Sequence, residues 1–252
     1  MREGQASGDW LAFVQNGDRL LAIAESEFER SGKSGLAGLP VTWSLVQGEI
    51  IQDLKHLREL EQDRARGGYQ PIAVERAFGG QNPIELGLRD GTTLRLGGRI
   101  DRIDQGPDGL VAIDYKTGRA SKDAGAYRSG QALQLPIYIQ AVAGEMAEPT
   151  DRISAEYFYA THKGNFQRST INGADVFADE VFWDTLETIT GGVRAGRFPP
   201  YPGDAKGNRP RPNCQFCDYV DLCTTDVDKR FNFKASRDQD TVREFLILQA
   251  RR

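Results

Sequence analysis

The stretch Gly98-Arg99-Ile100-Asp101-Arg102-Ile103-Asp104, followed across the turn Gly106-Pro107-Asp108-Gly109 by Leu110-Val111-Ala112-Ile113-Asp114-Tyr115-Lys116-Thr117-Gly118, decides how this chain is read. Both halves carry strand-forming residues around a turn, so they predict a hairpin. Strand side chains alternate between faces. Asp114 and Lys116 therefore share one face, and Val111, Ile113 and Tyr115 the other. The hairpin returns Asp101 to the side of Asp114. Two adjacent carboxylates repel unless a divalent cation lies between them, and an all-oxygen donor set suits Mg²⁺ or Mn²⁺. Lys116 is then placed to orient an attacking water or to stabilise charge on a phosphate. Glu75, one strand earlier, is a further candidate ligand or water-orienting group. The plain alternative is a surface hairpin with solvated charges. Against it, Val111 and Ile113 make the strand half buried, and Gly98 permits a close backbone approach. Asp104 reads as a turn residue and Asp114 as a solvent-facing ligand.

Working outward, Ile72–Phe78, Ile84–Leu88 and Thr92–Ile103 read as strands, the last two joined at Arg89-Asp90-Gly91. With Leu110–Tyr115 they predict an antiparallel meander. Trp10–Arg30 and Trp43–Arg66 read as helices, the second with a Leu54, Leu57, Leu60 stripe and closed by Gly67-Gly68. Further helices are expected over Gln131–Met146 and Ala178–Ala195, the latter burying Phe182, Leu186, Ile189 and Val193, with a hairpin at Lys163-Gly164-Asn165 between them. Residues 237–252 read as a short docking helix. The division expected is a helical part over 1–70, a core over 71–200, a cysteine-rich segment over 201–235 and a tail helix over 236–252. The class is mixed α/β, with a central sheet flanked by helices.

Composition narrows the function. The net charge of −4 advertises no global affinity for nucleic acid, although Arg194, Arg197, Lys206, Arg209 and Arg211 form a basic stretch suited to phosphates. No apolar run reaches membrane-spanning length, and no signal peptide opens the chain, so a cytoplasmic address is expected. Ser31-Gly32-Lys33-Ser34 lacks the glycine spacing of a nucleotide-binding loop. All three cysteines lie in Cys214-Gln215-Phe216-Cys217 and Cys223. Such clustering points to a metal, either iron–sulfur or structural zinc, but both take four ligands. His56 and His162 are remote candidates for the fourth.

The string G-x-x-D-R-I-D with I-D-Y-K-T-G resembles the RecB-like branch of the PD-(D/E)XK nucleases, whose fold is restriction-endonuclease-like. The resemblance extends to Gly130-Gln131-Ala132-Leu133-Gln134-Leu135-Pro136-Ile137-Tyr138, which is similar to that branch's Q-x-x-x-Y motif. On a helix, Gln131, Gln134 and Tyr138 would share one stripe, their partners being DNA or the metal site. The resemblance covers about residues 43–225. It implies that Asp101, Asp114 and the Tyr115 carbonyl hold the cation, that Lys116 positions or activates water, that Glu75 is secondary, and that Gln134 and Tyr138 orient the site. In AddB-type helicase–nucleases the core is followed by C-x-x-C-x5-C, and an upstream cysteine completes a [4Fe-4S] site, which implies cluster binding by Cys214, Cys217 and Cys223. That upstream cysteine and the family's early G-x-x-x-H helix are absent here. The expectation is therefore the C-terminal part of a larger DNA-processing protein, acting with a helicase subunit or domain in double-strand-break repair as a Mg²⁺-dependent exonuclease. The alternative is a catalytically impaired DNA-binding or scaffolding module of such a complex.

Overall fold

A computed structural model describes residues 10–35, 37–80, 83–120, 123–203, 211–215, 217–223 and 226–251. They divide into two compact units, Met1–Ala126 with Ala132–Asp179, and Tyr127–Gln131 with Glu180–Arg252.

In the first unit, α1 (Trp10–Gln15) and α2 (Gly17–Lys33) replace the single expected N-terminal helix. The break falls at Asn16, whose side chain accepts the Arg19 backbone N–H at 3.2 Å and caps α2. The long helix α3 spans Pro40–Arg66. It starts at a proline, whose missing N–H costs nothing in a first turn.

Strands β1 (Gln70–Phe78), β4 (Gly98–Gly106), β5 (Gly109–Lys116), β6 (Ile153–Tyr159) and β7 (Arg168–Asn172) form one sheet in the order β1-β4-β5-β6-β7. β5 and β6 pair in parallel and the other neighbours antiparallel. A parallel pair needs a long crossover, and the chain between these strands supplies one, carrying α4 (Gln134–Met146).

The expected four-strand meander is corrected in one respect. β2 (Ile84–Gly87) and β3 (Thr93–Leu96) form a separate two-stranded hairpin, so the expected strand Thr92–Ile103 is two strands. It breaks at Gly97, where two backbones cross: a Cβ on Gly79 would lie 2.4 Å from the Gly97 Cα. Gly98 is tight as well, since a Cβ there would meet the Phe78 ring at 2.9 Å.

The sheet is covered on both faces. On the front, Ile103, Leu110, Ala112 and Ala155 pack with Leu135, Tyr138, Ile139 and Val142 of α4. Fully burying aliphatic side chains of this kind stabilises by roughly 1.5–3 kcal/mol each. On the back, Val111, Ile113 and Phe158 pack with Leu57, Leu60 and Tyr115. β5 is thus a central strand, more enclosed than the half-buried hairpin expected. The α5 helix (Gly173–Ala178) closes this unit.

The second unit holds α6 (Glu180–Arg194), α7 (Val227–Arg237) and α8 (Arg243–Gln249). Phe182 and Leu186 are buried as expected, whereas Val193 is exposed. Tyr201, Phe231 and Phe245 form an aromatic cluster, with ring centroids 4.7–5.3 Å apart. No described helix is long and apolar enough to cross a membrane.

Candidate functional site

Strand alternation puts Asp101 and Ile103 on the front of β4 and Arg102 and Asp104 on its back. The β4–β5 ladder runs from Gly106↔Gly109 to Arg102↔Ile113. Beyond that rung the Tyr115 N–H donates to the Asp101 side chain, at 2.9 Å from Oδ2. Asp101 and Asp114 therefore meet at the ends of β4 and β5. Asp114 is 3% exposed, which corrects the solvent-facing position expected for it. Burial raises the Asp101 carboxyl above the ordinary carboxylate range, with the charges of Asp114 and Glu75 adding to it against the Tyr115 N–H and Lys116.

Lys116 forms an ion pair with Asp114 Oδ2, yet that oxygen has no aligned hydrogen-bond donor. The Lys116 ammonium also donates to Gln134 Oε1 at 3.3 Å. Gln134 Nε2 donates to the Tyr138 hydroxyl at 2.8 Å, and that hydroxyl lies 2.6 Å from the Arg99 carbonyl and 3.3 Å from Asp114 Oδ1. Burial, with Asp114 and Asp101 nearby, pushes the Tyr138 phenol up to about 12, although Gln134 opposes the shift. The phenol is thus a neutral donor at physiological pH. Lys116, Gln134, Tyr138 and Asp114 form one connected chain.

Gln131 falls outside the helix expected to carry it. It precedes α4, which starts at Gln134. Pro136 explains the late start, because proline is tolerated in a first helical turn and not in the interior.

Glu75 faces the site from β1, where the pairs Val74↔Arg102 and Arg76↔Ile100 place it across from Asp101. It is exposed, ion-paired with Arg99 at 3.3 Å, and held at φ +51°. A positive φ at a non-glycine residue in a strand stores strain, which clusters at functional sites. Arg99 joins the site without having been expected there, although its place two residues before Asp101 on the same face is a signal.

Asp104 is not a turn residue. It lies in β4, is fully buried, and accepts from Arg102 Nε and Nη2 at 2.5 and 2.9 Å and from Arg64 Nε at 2.7 Å. Glu61 of α3 is also buried and accepts from Arg102 Nη1 at 2.6 Å.

A divalent cation fits the front. The residues offer two adjacent carboxylates, one with an oxygen lacking a hydrogen bond, and burial penalises charge left uncompensated there. Among the described residues, no three His, Cys, Asp or Glu side chains converge as a metal-holding group. Glu75 thus does not complete a three-carboxylate set with Asp101 and Asp114.

Cys214, Cys217 and Cys223 are free thiols, the first two half-buried and the third exposed, and they are not gathered around one point. As arranged, they do not fit a [4Fe-4S] cluster. His56 pairs with Glu59 and His162 with Asp53. Of the basic stretch, Arg197 is ion-paired with Glu244 and Arg211 with Asp228, while Lys206 and Arg209 lie outside the described residues.

The family model described as the PD-(D/E)XK nuclease superfamily matches residues 11–224. Among curated proteins, the chain is similar to an ATP-dependent helicase/deoxyribonuclease subunit from Symbiobacterium thermophilum, at 39% identity over 56% of this chain and 12% of that protein. The protein of the same name from Moorella thermoacetica is 36% identical over 42% of this chain and 11% of its own length. That from Clostridium acetobutylicum is 31% identical over 50% and 11%. The chain thus matches about a tenth of the length of these relatives. With a family match across most of its residues, over a mixed sheet carrying Asp101, Asp114 and Lys116 on one face of its central strands, the chain belongs to the PD-(D/E)XK nuclease superfamily.

Proposed function

We propose that this chain is the nuclease domain of a helicase–nuclease and hydrolyses phosphodiester bonds of DNA with Mg²⁺ or Mn²⁺. The observation that carries the reading is the junction of Asp101, Asp114 and Lys116 on one face of the sheet. Asp101, Asp114 and the Tyr115 carbonyl would hold the cation. When bound, the cation supplies neutralisation of phosphate charge and acidification of water. Lys116, ion-paired with Asp114, offers its ammonium to the attacking water or the phosphate oxygens. Gln134 and Tyr138, both uncharged, fix the Lys116 and Asp114 side chains through hydrogen bonds. Glu75 orients water from the open side of the site.

The relatives' names support DNA as substrate and a helicase as partner; exonucleolytic cleavage in double-strand-break processing is the setting that the sequence resemblance implies. Cys214, Cys217 and Cys223 enter it only as part of a cluster or zinc site that gathers the three thiols and adds a further ligand.

A second reading, a DNA-binding or scaffolding module with impaired catalysis, is favoured by the absence of a three-side-chain metal group among the described residues. Incubation of linear DNA with purified protein and Mg²⁺ or Mn²⁺ separates them. Metal-dependent degradation that disappears in Asp114→Asn supports the nuclease. DNA binding without degradation in either metal leaves the scaffold.

A further inference from the structure

Tyr115 connects the candidate site to a second set of charges on the opposite face of the sheet. Its N–H donates to Asp101 on the front, while its hydroxyl lies on the back, 3.0 Å from Arg102 Nη1. The β4–β5 ladder has ended by this residue, its last rung being Arg102↔Ile113. The Tyr115 backbone is therefore held on one side by β6, through Tyr115↔Phe158. On the β4 side its N–H meets the Asp101 side chain. The Tyr115 N–H and carbonyl lie in the two peptide units that flank its Cα, so a shift of the Tyr115 backbone carries both, and a phenol anchored at its far end is a lever that resists that shift.

Arg102 fixes that lever. It is 0% exposed. A guanidinium is a rigid planar fork. Its Nε and Nη2 are both taken up by Asp104, so the direction of Nη1 is set, and Nη1 meets Glu61 and the Tyr115 hydroxyl. Asp104 is anchored in turn by Arg64 of α3. Glu156 of β6 faces Arg64 at 3.7 Å and is ion-paired with Arg168 of β7, which reaches Glu61 at 3.8 Å. Arg64, Arg102 and Arg168 thus balance Glu61, Asp104 and Glu156. The Trp10 ring covers the Arg102 guanidinium at 5.0 Å. A buried network with balanced charge favours one arrangement of its members, and here the members come from α3, β4, β5, β6 and β7.

We infer that Arg102, acting through the Tyr115 hydroxyl, is a positioning residue for the cation site: it holds the Tyr115 backbone in place, so that its N–H fixes Asp101 and its carbonyl stays beside it as a second donor. This rests on the cation reading of Asp101 and Asp114 given above. Polar groups behind metal ligands commonly set affinity by about 10–100-fold. Ordinary packing residues are not expected to act on metal affinity at constant stability.

The test is Mn²⁺ binding by the full chain, followed by loss of the free-ion electron paramagnetic resonance signal, in the wild type, Asp114→Asn, Tyr115→Phe and Arg102→Lys. Tyr115→Phe keeps the ring, the carbonyl and the fold, and should weaken Mn²⁺ binding about tenfold with an unchanged melting temperature. In cleavage assays it should lower kcat with little change in KM for DNA. Arg102→Lys keeps the charge and loses the fork, and should not restore wild-type affinity. Wild-type Mn²⁺ affinity in a folded Tyr115→Phe protein, with site binding present in the wild type, overturns the positioning role alone. Absence of any wild-type Mn²⁺ binding that Asp114→Asn removes overturns the cation reading, and this inference with it.

Discussion

The two faces of β4 and β5 use charge in opposite ways. On the back, Arg64, Arg102 and Arg168 are matched against Glu61, Asp104 and Glu156. On the front, three carboxylates, Asp101, Asp114 and Glu75, face two cations, Lys116 and Arg99. Successive residues of one strand thus serve both faces, Asp101 and Ile103 forward, Arg102 and Asp104 backward. Burial makes an unpaired charge costly, so the matched face holds the architecture together. The unmatched face is where an added cation lowers the free energy.

Substitutions one or two positions apart should therefore have opposite consequences. The largest effect is on chemistry at the front. Asp114→Asn should reduce DNA cleavage by at least about 1000-fold, the several kcal/mol that a metal-held charge contributes. Its circular dichroism spectrum should remain that of the wild type, because the change removes charge that burial already disfavours. Unfolding of Asp114→Asn would show that the front carboxylate is structural, and the contrast between faces would collapse.

Next comes the back. Arg102→Ala leaves Glu61 and Asp104 buried without their guanidinium and should cost about 3–5 kcal/mol of stability, measured by urea denaturation. A stability change under about 1 kcal/mol, the worth of an exposed ion pair, would place Arg102 among ordinary surface charges.

Lys116→Ala should lower cleavage about 100-fold while Mn²⁺ binding persists, which separates a proton- or phosphate-handling role from a ligand role. Loss of Mn²⁺ binding in this variant would instead make Lys116 part of the ion's support.

The smallest effect sharpens the front's charge excess. Burial and neighbouring carboxylates raise the Asp101 pKa in the fold. Charged Asp101 therefore destabilises the metal-free protein above that pKa, and the penalty fades as pH falls through it. In EDTA, Asp101→Asn should raise the melting temperature at neutral pH, and the gain should vanish below the ordinary aspartate range near about pH 4. A gain that persists in acid would locate the effect in packing and not in charge.

Much of this is legible in the residue pattern. The alternation of Val111, Ile113 and Tyr115 against Asp114 and Lys116 fixes which side chains share a face, since a strand has a period of two and no tertiary knowledge is needed. The turn at Gly106–Gly109 brings Asp101 back to Asp114 for the same local reason. The spacing of Gln134 and Tyr138 puts both on α4, one turn apart. Gln131 departs from the expected stripe because Pro136 delays the helix start, and that signal too is local.

The tertiary structure decided what long-range pairing alone can decide. Gly97 ends one strand and frees the next because Gly79 crosses it, a contact between segments that no period reveals. In α3 the sequence marks only the Leu54, Leu57, Leu60 stripe for burial. Glu61 and Arg64 instead meet Arg102 and Asp104, 41 and 40 positions away, and are removed from water. Charged side chains carry no mark of burial in the sequence. Whether they are solvated or paired depends on which strand the folded helix covers, and that choice is made by packing the apolar residues Leu57 and Leu60 onto Val111 and Ile113.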